Sequence, residues 1–402
     1  MTASASWTLA ALVAVQAAQA PAFKSGVELV VVDVQVVDGR GYPIESLTPD
    51  AFNVTIDGHV RRVVSAELTK YAAGQTAGAV PNPAAAAPPA PSETASAPKA
   101  SRIFVIAVDE TSFAPLHARA AMIAASQFID HLEPQDYVGA YAYPTGTLEM
   151  SVTRDHEKAK KDLERVAGLF DPPISRLKIG ASEVIDIKAG DRDVMRRVVE
   201  RECGRSGGAG CNTQVSMEVD SLSKYFETQT AMSLAGLRNI IQSLATVPGR
   251  KTLVVVSGGL IASDRIGAQP NIGLEAFGFA HDAAAGNVNM YVLHMDNSFL
   301  DSYSVRTAMA SADSQMRDSG LASLGLELVA GATGGSLVHV EGTQPERAFD
   351  RVTRETSAYY LLGVEPADAD RDGKSHAIRV AVKQRGASVR SRASVTIPAV
   401  RK

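Results

Sequence analysis

The sequence predicts an α/β protein: a doubly wound, mostly parallel sheet with small all-β segments flanking it at the amino and carboxyl ends. Three observations carry that expectation. Residues 103–108 form an almost wholly apolar run that ends in Asp109, Glu110 and Thr111, as a strand buried on both faces of a parallel sheet does. From Arg102 onward strand-like and helix-like periods alternate, the pattern of βαβ units. Toward both ends the pattern changes to period two with turn clusters, which suits half-buried strands.

Taken in order, residues 23–70 read as a small β domain of about four strands. Val32-Asp33-Val34-Gln35-Val36 alternates, Asp38-Gly39-Arg40-Gly41 turns, and Phe52-Asn53-Val54-Thr55-Ile56 leads to the hairpin signal Asp57-Gly58. Residues 71–100 are rich in Ala, Pro, Gly and Ser and read as a linker, because such a composition buries too little apolar surface to order itself. Residues 101–340 form the α/β domain. Leu116, Ala120, Ile123, Ala124, Phe128 and Leu132 recur at helical spacing before Pro134, residues 137–143 make the next strand, and residues 148–152 an edge strand. Asp155 caps a helix running through Gly168. Residues 171–215 read as an irregular insertion, followed by a helix over about 215–244 and the strand 252–257. Helices over 271–286, 315–330 and 344–355 then alternate with strands over 288–294 and 334–340. Residues 341–402 hold the last helix and a terminal β segment, with strands over 357–364, 376–383 and 388–397. A lone β piece exposes one apolar face, so the two are expected to pack together or onto the α/β domain, which would then sit inside a β-sandwich.

A chain of 402 residues that is 45% apolar and 21% charged is ordinary for a globular protein. Net charge is −4 without a basic stripe, which argues against nucleic acid as a partner. Residues 7–20 are apolar and end in Ala18-Gln19-Ala20, so residues 1–20 read as a secretory signal peptide, although no Lys or Arg precedes the run and Pro21 follows it. Export to the periplasm or the medium is the expectation, with no integral membrane span after signal removal, since no other apolar stretch is long enough. Cys203 and Cys211 flank a Gly-rich loop; in an exported protein that pair reads as a disulfide.

Several segments together resemble the von Willebrand factor type A domains, specifically the acidobacterial VWFA-related family. They are Leu47-Thr48-Pro49-Asp50-Ala51-Phe52, Val152-Thr153-Arg154-Asp155, Pro248-Gly249-Arg250-Lys251-Thr252-Leu253, Leu328-Val329-Ala330-Gly331-Ala332-Thr333-Gly334-Gly335 and Tyr359-Tyr360-Leu361-Leu362-Gly363-Val364. The resemblance implies a vWA/Rossmann-like fold and a metal-ion-dependent adhesion site, in which hard oxygen ligands surround Mg²⁺ and leave one position for a partner's carboxylate. Asp109 matches the first ligand position and Thr111 keeps a hydroxyl at the second. Phe113 stands at the third position and Gly258 where the family has a carboxylate. The threonine from the second loop is assigned to Thr230, with Thr228 and Ser233 as competitors. The implied site is therefore degenerate. Mg²⁺ is the one candidate ion and no cofactor is required; the alternative is a metal-free site in which Asp109 caps the following helix or accepts backbone N–H bonds.

His294 and Asp296 border the same crevice and read as a hydrogen-bonded loop pair. Gly331-Ala332-Thr333-Gly334-Gly335 lies after a helix and before a strand, the order of helix termination and not of phosphate binding. Glu183, Asp186, Asp191 and Asp193 read as a solvated acidic face. No Gly-x-Ser-x-Gly, His-Glu-x-x-His or phosphate-loop sequence occurs. The expected function is an exported, non-catalytic protein-interaction or adhesion module that binds a protein partner at the Asp109 edge or through residues 171–215. The alternatives are a metal-dependent hydrolase using Asp109, Asp264, His294 and Asp296, and a structural envelope component without a ligand.

Overall fold

A computed structural model describes residues 29–71, 102–171, 177–204, 209–296, 312–340 and 346–399. The signal peptide expected at 1–20 and nearly all of the linker expected at 71–100 lie outside the described residues.

The described residues build two sheets, and the larger is antiparallel. Its seven strands are β1 (Val30–Val37), β2 (Phe52–Ile56), β3 (His59–Lys70), β10 (Ala358–Glu365), β11 (Ser375–Val382), β12 (Ser388–Ser391) and β13 (Ser394–Thr396), in the order β12-β1-β10-β3-β2-β11-β13. The second sheet has six strands in the order β6-β5-β4-β7-β8-β9: β4 (Ile103–Asp109), β5 (Tyr137–Tyr143), β6 (Glu149–Thr153), β7 (Lys251–Ser257), β8 (Val288–His294) and β9 (Ser336–His339).

This corrects the predicted fold class. The protein is not one doubly wound, mostly parallel sheet with small β appendages: its largest sheet is antiparallel and the other is mixed. The physical reason lies in unpaired edges. A β1 strand and a β2–β3 hairpin on their own leave rows of backbone N–H and C=O groups without partners. β10 enters between them, pairing Val30 with Val364 on one side and Lys70 with Ala358 on the other. The terminal pieces thus share one hydrogen-bond ladder and do not form a sandwich. In the mixed sheet, β6 runs antiparallel to β5 because the intervening residues 144–148 are too few for a crossover.

Alternation of side chains on β4 divides the core of the mixed sheet. Phe104, Ile106 and Val108 meet Ala121, Ala125, Phe128 of α1 (Pro115–Asp130) and Phe349 of α8 (Glu346–Glu355), with Leu163 of α2 (His156–Leu163). Val105 and Ala107 meet Leu237 and Ile241 of α5 (Ala209–Leu244), Phe279 of α6 (Gly273–Gly286) and Val329 of α7 (Ala312–Ala332). Each such fully buried Val, Leu, Ile or Phe contributes about 1.5–3 kcal/mol. In the antiparallel sheet, Val32, Val34 and Val36 of β1 pack with Val54, Ile56, Leu362 and Val364. The opposite face of β1 turns Gln35, only 1% exposed, toward the mixed sheet, where it meets Tyr291 Oη and Asn289 and donates to the Glu355 carbonyl. Gly334 makes the two sheets touch: its φ is +76° and a Cβ there would lie 2.3 Å from the Ser391 carbonyl oxygen. The helix-terminating role expected for residues 331–335 is visible as bonds from Gly334 N to Gly331 O and from Gly335 N to Ala330 O.

The insertion is not irregular where it is described. α3 (Ala181–Lys188), α4 (Arg192–Cys203) and the first turns of α5 enclose their own core of Val184, Val194, Val198, Val215, Val219 and Leu222. Cys203 and Cys211 form the expected disulfide between α4 and α5. Nor is its acidic cluster a solvated face. Glu183 and Asp186 are buried; Glu183 holds Arg201, and Asp186 holds Arg265 and Arg317. Asp191 caps α4 through Asp193 N and Val194 N, and only Asp193 points outward to pair with Arg196. Among the described residues no helix is long and apolar enough to cross a membrane.

Candidate functional site

Parallel register brings the functional candidates to one rim. β4, β7, β8 and β9 end together, with Val108 opposite Val256, Ser257 opposite His294, and His294 opposite His339. Asp109 therefore sits at the carboxyl end of its strand, where open sheets place polar groups facing a crevice.

The Asp109 carboxylate is 1% exposed and saturated by hydroxyls of the protein itself. Oδ1 accepts from Thr111 Oγ1 at 2.9 Å; Oδ2 accepts from Ser233 Oγ at 3.1 Å and Ser257 Oγ at 3.2 Å. Burial pushes its pKa up to about 6, and the three hydroxyl bonds work against that rise. Of the sequence-chosen set, the structure joins Asp109 and Thr111 but not Thr230. Thr230 Oγ1 donates instead to the Ile261 carbonyl at 3.0 Å, and Thr228 back-bonds to Lys224 O. Ser233 takes the place assigned to Thr230. The two positions lie three residues apart on α5 and share a face; the lengthwise placement of the helix against the sheet chooses between them.

The two departures from the adhesion-site pattern have steric causes. Phe113 is fully buried in the core beneath α1. Gly258 lies against the 3₁₀ turn Glu110–Ser112: its N–H donates to Ser112 Oγ at 2.8 Å, and a Cβ would fall 2.5 Å from the Ser112 carbonyl oxygen. A carboxylate has no room there. One buried carboxylate and three hydroxyls meet here, a set with a single anionic ligand where the adhesion-site pattern places two around Mg²⁺.

Glu110 is a rim residue that sequence reasoning passed over. It is 1% exposed, and its carboxylate accepts from Thr145 N at 3.2 Å, from Thr145 Oγ1 and from Thr147 Oγ1 at 2.6 Å, fastening the β5–β6 turn to the end of β4. A second carboxylate directly after a fully apolar strand was the available signal. The helix expected to run through Gly168 stops at Leu163. The chain then returns to the rim, with Leu169 N donating to Glu110 O and Phe170 N to Phe113 O.

His294, the last residue of β8, is 1% exposed. Its Nε2 lies 3.2 Å from the Gly258 carbonyl, which makes Nε2–H the donor and Nδ1 the acceptor facing His339 Nδ1 at 3.3 Å and Ser323 Oγ at 3.2 Å. Burial lowers its pKa, so the neutral form is held at pH 7. Of the hydrolase set, Asp264 faces Arg317 at 3.9 Å, and Asp296, whose charge acts on His294, accepts from Ser319. Among the described residues no group of three or more His, Cys, Asp and Glu side chains is placed to hold a metal ion.

Over this rim sits the helical insertion. Asp318 of α7 accepts from Ala181 N at 3.0 Å and Ser182 N at 2.7 Å, and Ile185 packs on Ala268 and Leu321. Beyond it the segment between β7 and α6 carries Ile266, 106% exposed, and the first turn of α6 carries Leu274, 86% exposed. A groove of about 270 Å³ between α5 and the start of α6 is lined by Glu227, Thr230, Arg238, Gln269, Asn271 and Glu275.

No protein-family model matches the chain, and no curated protein matches it either.

Proposed function

We propose that this chain is an exported protein-interaction module of the kind its VWFA-related resemblance implies, without catalysis and without a bound metal at Asp109. The observation that carries the reading is the exposure of Ile266 and Leu274, two large apolar side chains on the segment leading into α6, whose Gln269, Asn271 and Glu275 line a groove of mixed polarity. Exposed apolar residues rimmed by polar ones are characteristic of protein-docking surfaces. The partner is a protein that places apolar side chains against the residues between β7 and α6 and hydrogen-bonds to Gln269, Asn271 and Glu275. The disulfide between Cys203 and Cys211 supports a location outside the reducing cytoplasm.

The test is site-specific photo-crosslinking in the producing cell. A probe at position 266 is expected to give one discrete protein adduct that disappears in Leu274→Asp, whereas a probe at Met217, exposed on α5, gives none. Equal adducts from both positions, or turnover of a substrate by the purified protein, would overturn the reading.

A further inference from the structure

The seam between the two sheets gathers more positive charge than it neutralises. A cleft of about 20 Å³ there is lined by three arginines, Arg250, Arg390 and Arg392, and by one acidic residue, Asp33. Arg250 faces Asp33 at 3.5 Å and lies over the Tyr359 ring at 4.8 Å from its centroid. Arg390 pairs with Glu355 at 2.9 Å, but that carboxylate is also held by Arg351 at 2.8 Å. Arg392 donates to the Val31 carbonyl, and no carboxylate is paired with it among the described residues. The Nε atoms of both Arg390 and Arg392 are buried without a hydrogen-bond partner. Burial holds the Arg392 guanidinium below its ordinary pKa.

Three features point the same way. The Arg250 and Arg390 side chains are each 11% exposed, so solvent screens them weakly. Buried N–H donors without acceptors are rare and call for an occupant. The enclosed part of the cleft has room for one body of about the size of a water molecule, a closer match to a monatomic ion than to phosphate, sulfate or a carboxylic acid. We propose that this seam binds a single monatomic monovalent anion of the halide class, chloride being the abundant one, as a structural ion that joins β12 and β1 to the start of β7. The site is separate from the Asp109 rim, since the cleft opens at residues 250 and 287–289, at the amino-terminal ends of β7 and β8.

The experiment is thermal unfolding of the full chain at fixed ionic strength while chloride replaces gluconate, which is too large for the cleft. The expected result is a saturable rise in Tm with chloride in the wild type and in Arg196→Met, an exposed arginine far from the seam in sequence. In Arg392→Met the chloride concentration giving half of the rise should increase at least tenfold. An identical Tm in both salts would mean that water fills the cleft and would overturn the proposal, as would an unchanged chloride response in Arg392→Met. Should that variant fail to fold, ³⁵Cl line broadening by the wild type decides. Narrowing on addition of bromide but not of gluconate supports the site; no narrowing with either overturns it.

Discussion

Ser233, about two-thirds of the way along the 36-residue helix α5, donates a hydrogen bond of 3.1 Å to the buried Asp109 carboxylate across 124 residues of sequence. That contact ties α5 to the end of β4. A hydrogen bond to a charged group contributes about 1.5–3 kcal/mol. Ser233→Ala should lose about that much stability at pH 7 in urea unfolding, and Thr230→Ala should leave the titration of Asp109 untouched. Equal effects of the two substitutions on that titration would reverse the assignment.

Asp109 should also make stability depend on pH in an unusual direction. Burial raises its folded pKa to about 6 from the ordinary 3.8, so between those values the folded state binds more protons than the unfolded one. Stability from this group therefore falls as pH rises from about 4 to 6, by at most about 3 kcal/mol, and the penalty persists above 6. The difference between wild type and Asp109→Asn, measured at pH 4.5 and pH 7, should shift accordingly. A pH-independent difference would refute the assignment.

Placing a carboxylate at position 258, where the adhesion-site pattern has one, should not create metal binding. With a Cβ forced to 2.5 Å from the Ser112 carbonyl, Gly258→Asp is expected to lose about 1–3 kcal/mol as overpacked sites do. Calorimetric titration with Mg²⁺ should give no heat for either protein. A heat that appears only in the variant would mean that the rim can open to accept the ion.

His376 links the β2–β3 turn to β11. Its Nδ1 lies 2.7 Å from Asp57 and its Nε2 3.0 Å from Asp372. The Asp57 carboxylate raises its pKa above 6.5, with burial opposing and Asp372 assisting. A raised base stabilises fully below the unfolded value and loses that contribution as pH rises through the folded value. The stability gap between wild type and His376→Gln should therefore narrow above pH 6.5. A gap that widens with pH would contradict the ion pairs.

Reduction of Cys203–Cys211 acts on a short loop, the two cysteines being eight positions apart along the chain. The chain-entropy estimate for so small a loop is about 2–3 kcal/mol. Hydrogen exchange after reduction should accelerate in α4 and the first turns of α5, which share the separate Val194–Val198–Val215 core, and leave β4 and β7 protected. Uniform acceleration would show that the insertion and the mixed sheet unfold as one unit.

Local chemistry made much of this chain legible as sequence. The apolar run before Asp109, the period-two segments, the Asp155 cap, whose side chain accepts from Lys158 N, and the cysteine pair all follow from short-range rules of burial, capping and loop closure. What sequence could not decide is how distant segments register against one another. Whether Thr230 or Ser233 reaches Asp109 depends on a slide of less than one helical turn. Whether Gly258 marks a lost ligand or a close backbone approach depends on where Ser112 lies. Whether the end segments stack or interleave depends on which unpaired strand edges meet, and β10 meets two of them. Each strand carries the same side-chain alternation in either arrangement. Only the meeting of backbone donors and acceptors far apart in the chain, which the folded state must satisfy and a linear pattern does not encode, selects the antiparallel sheet.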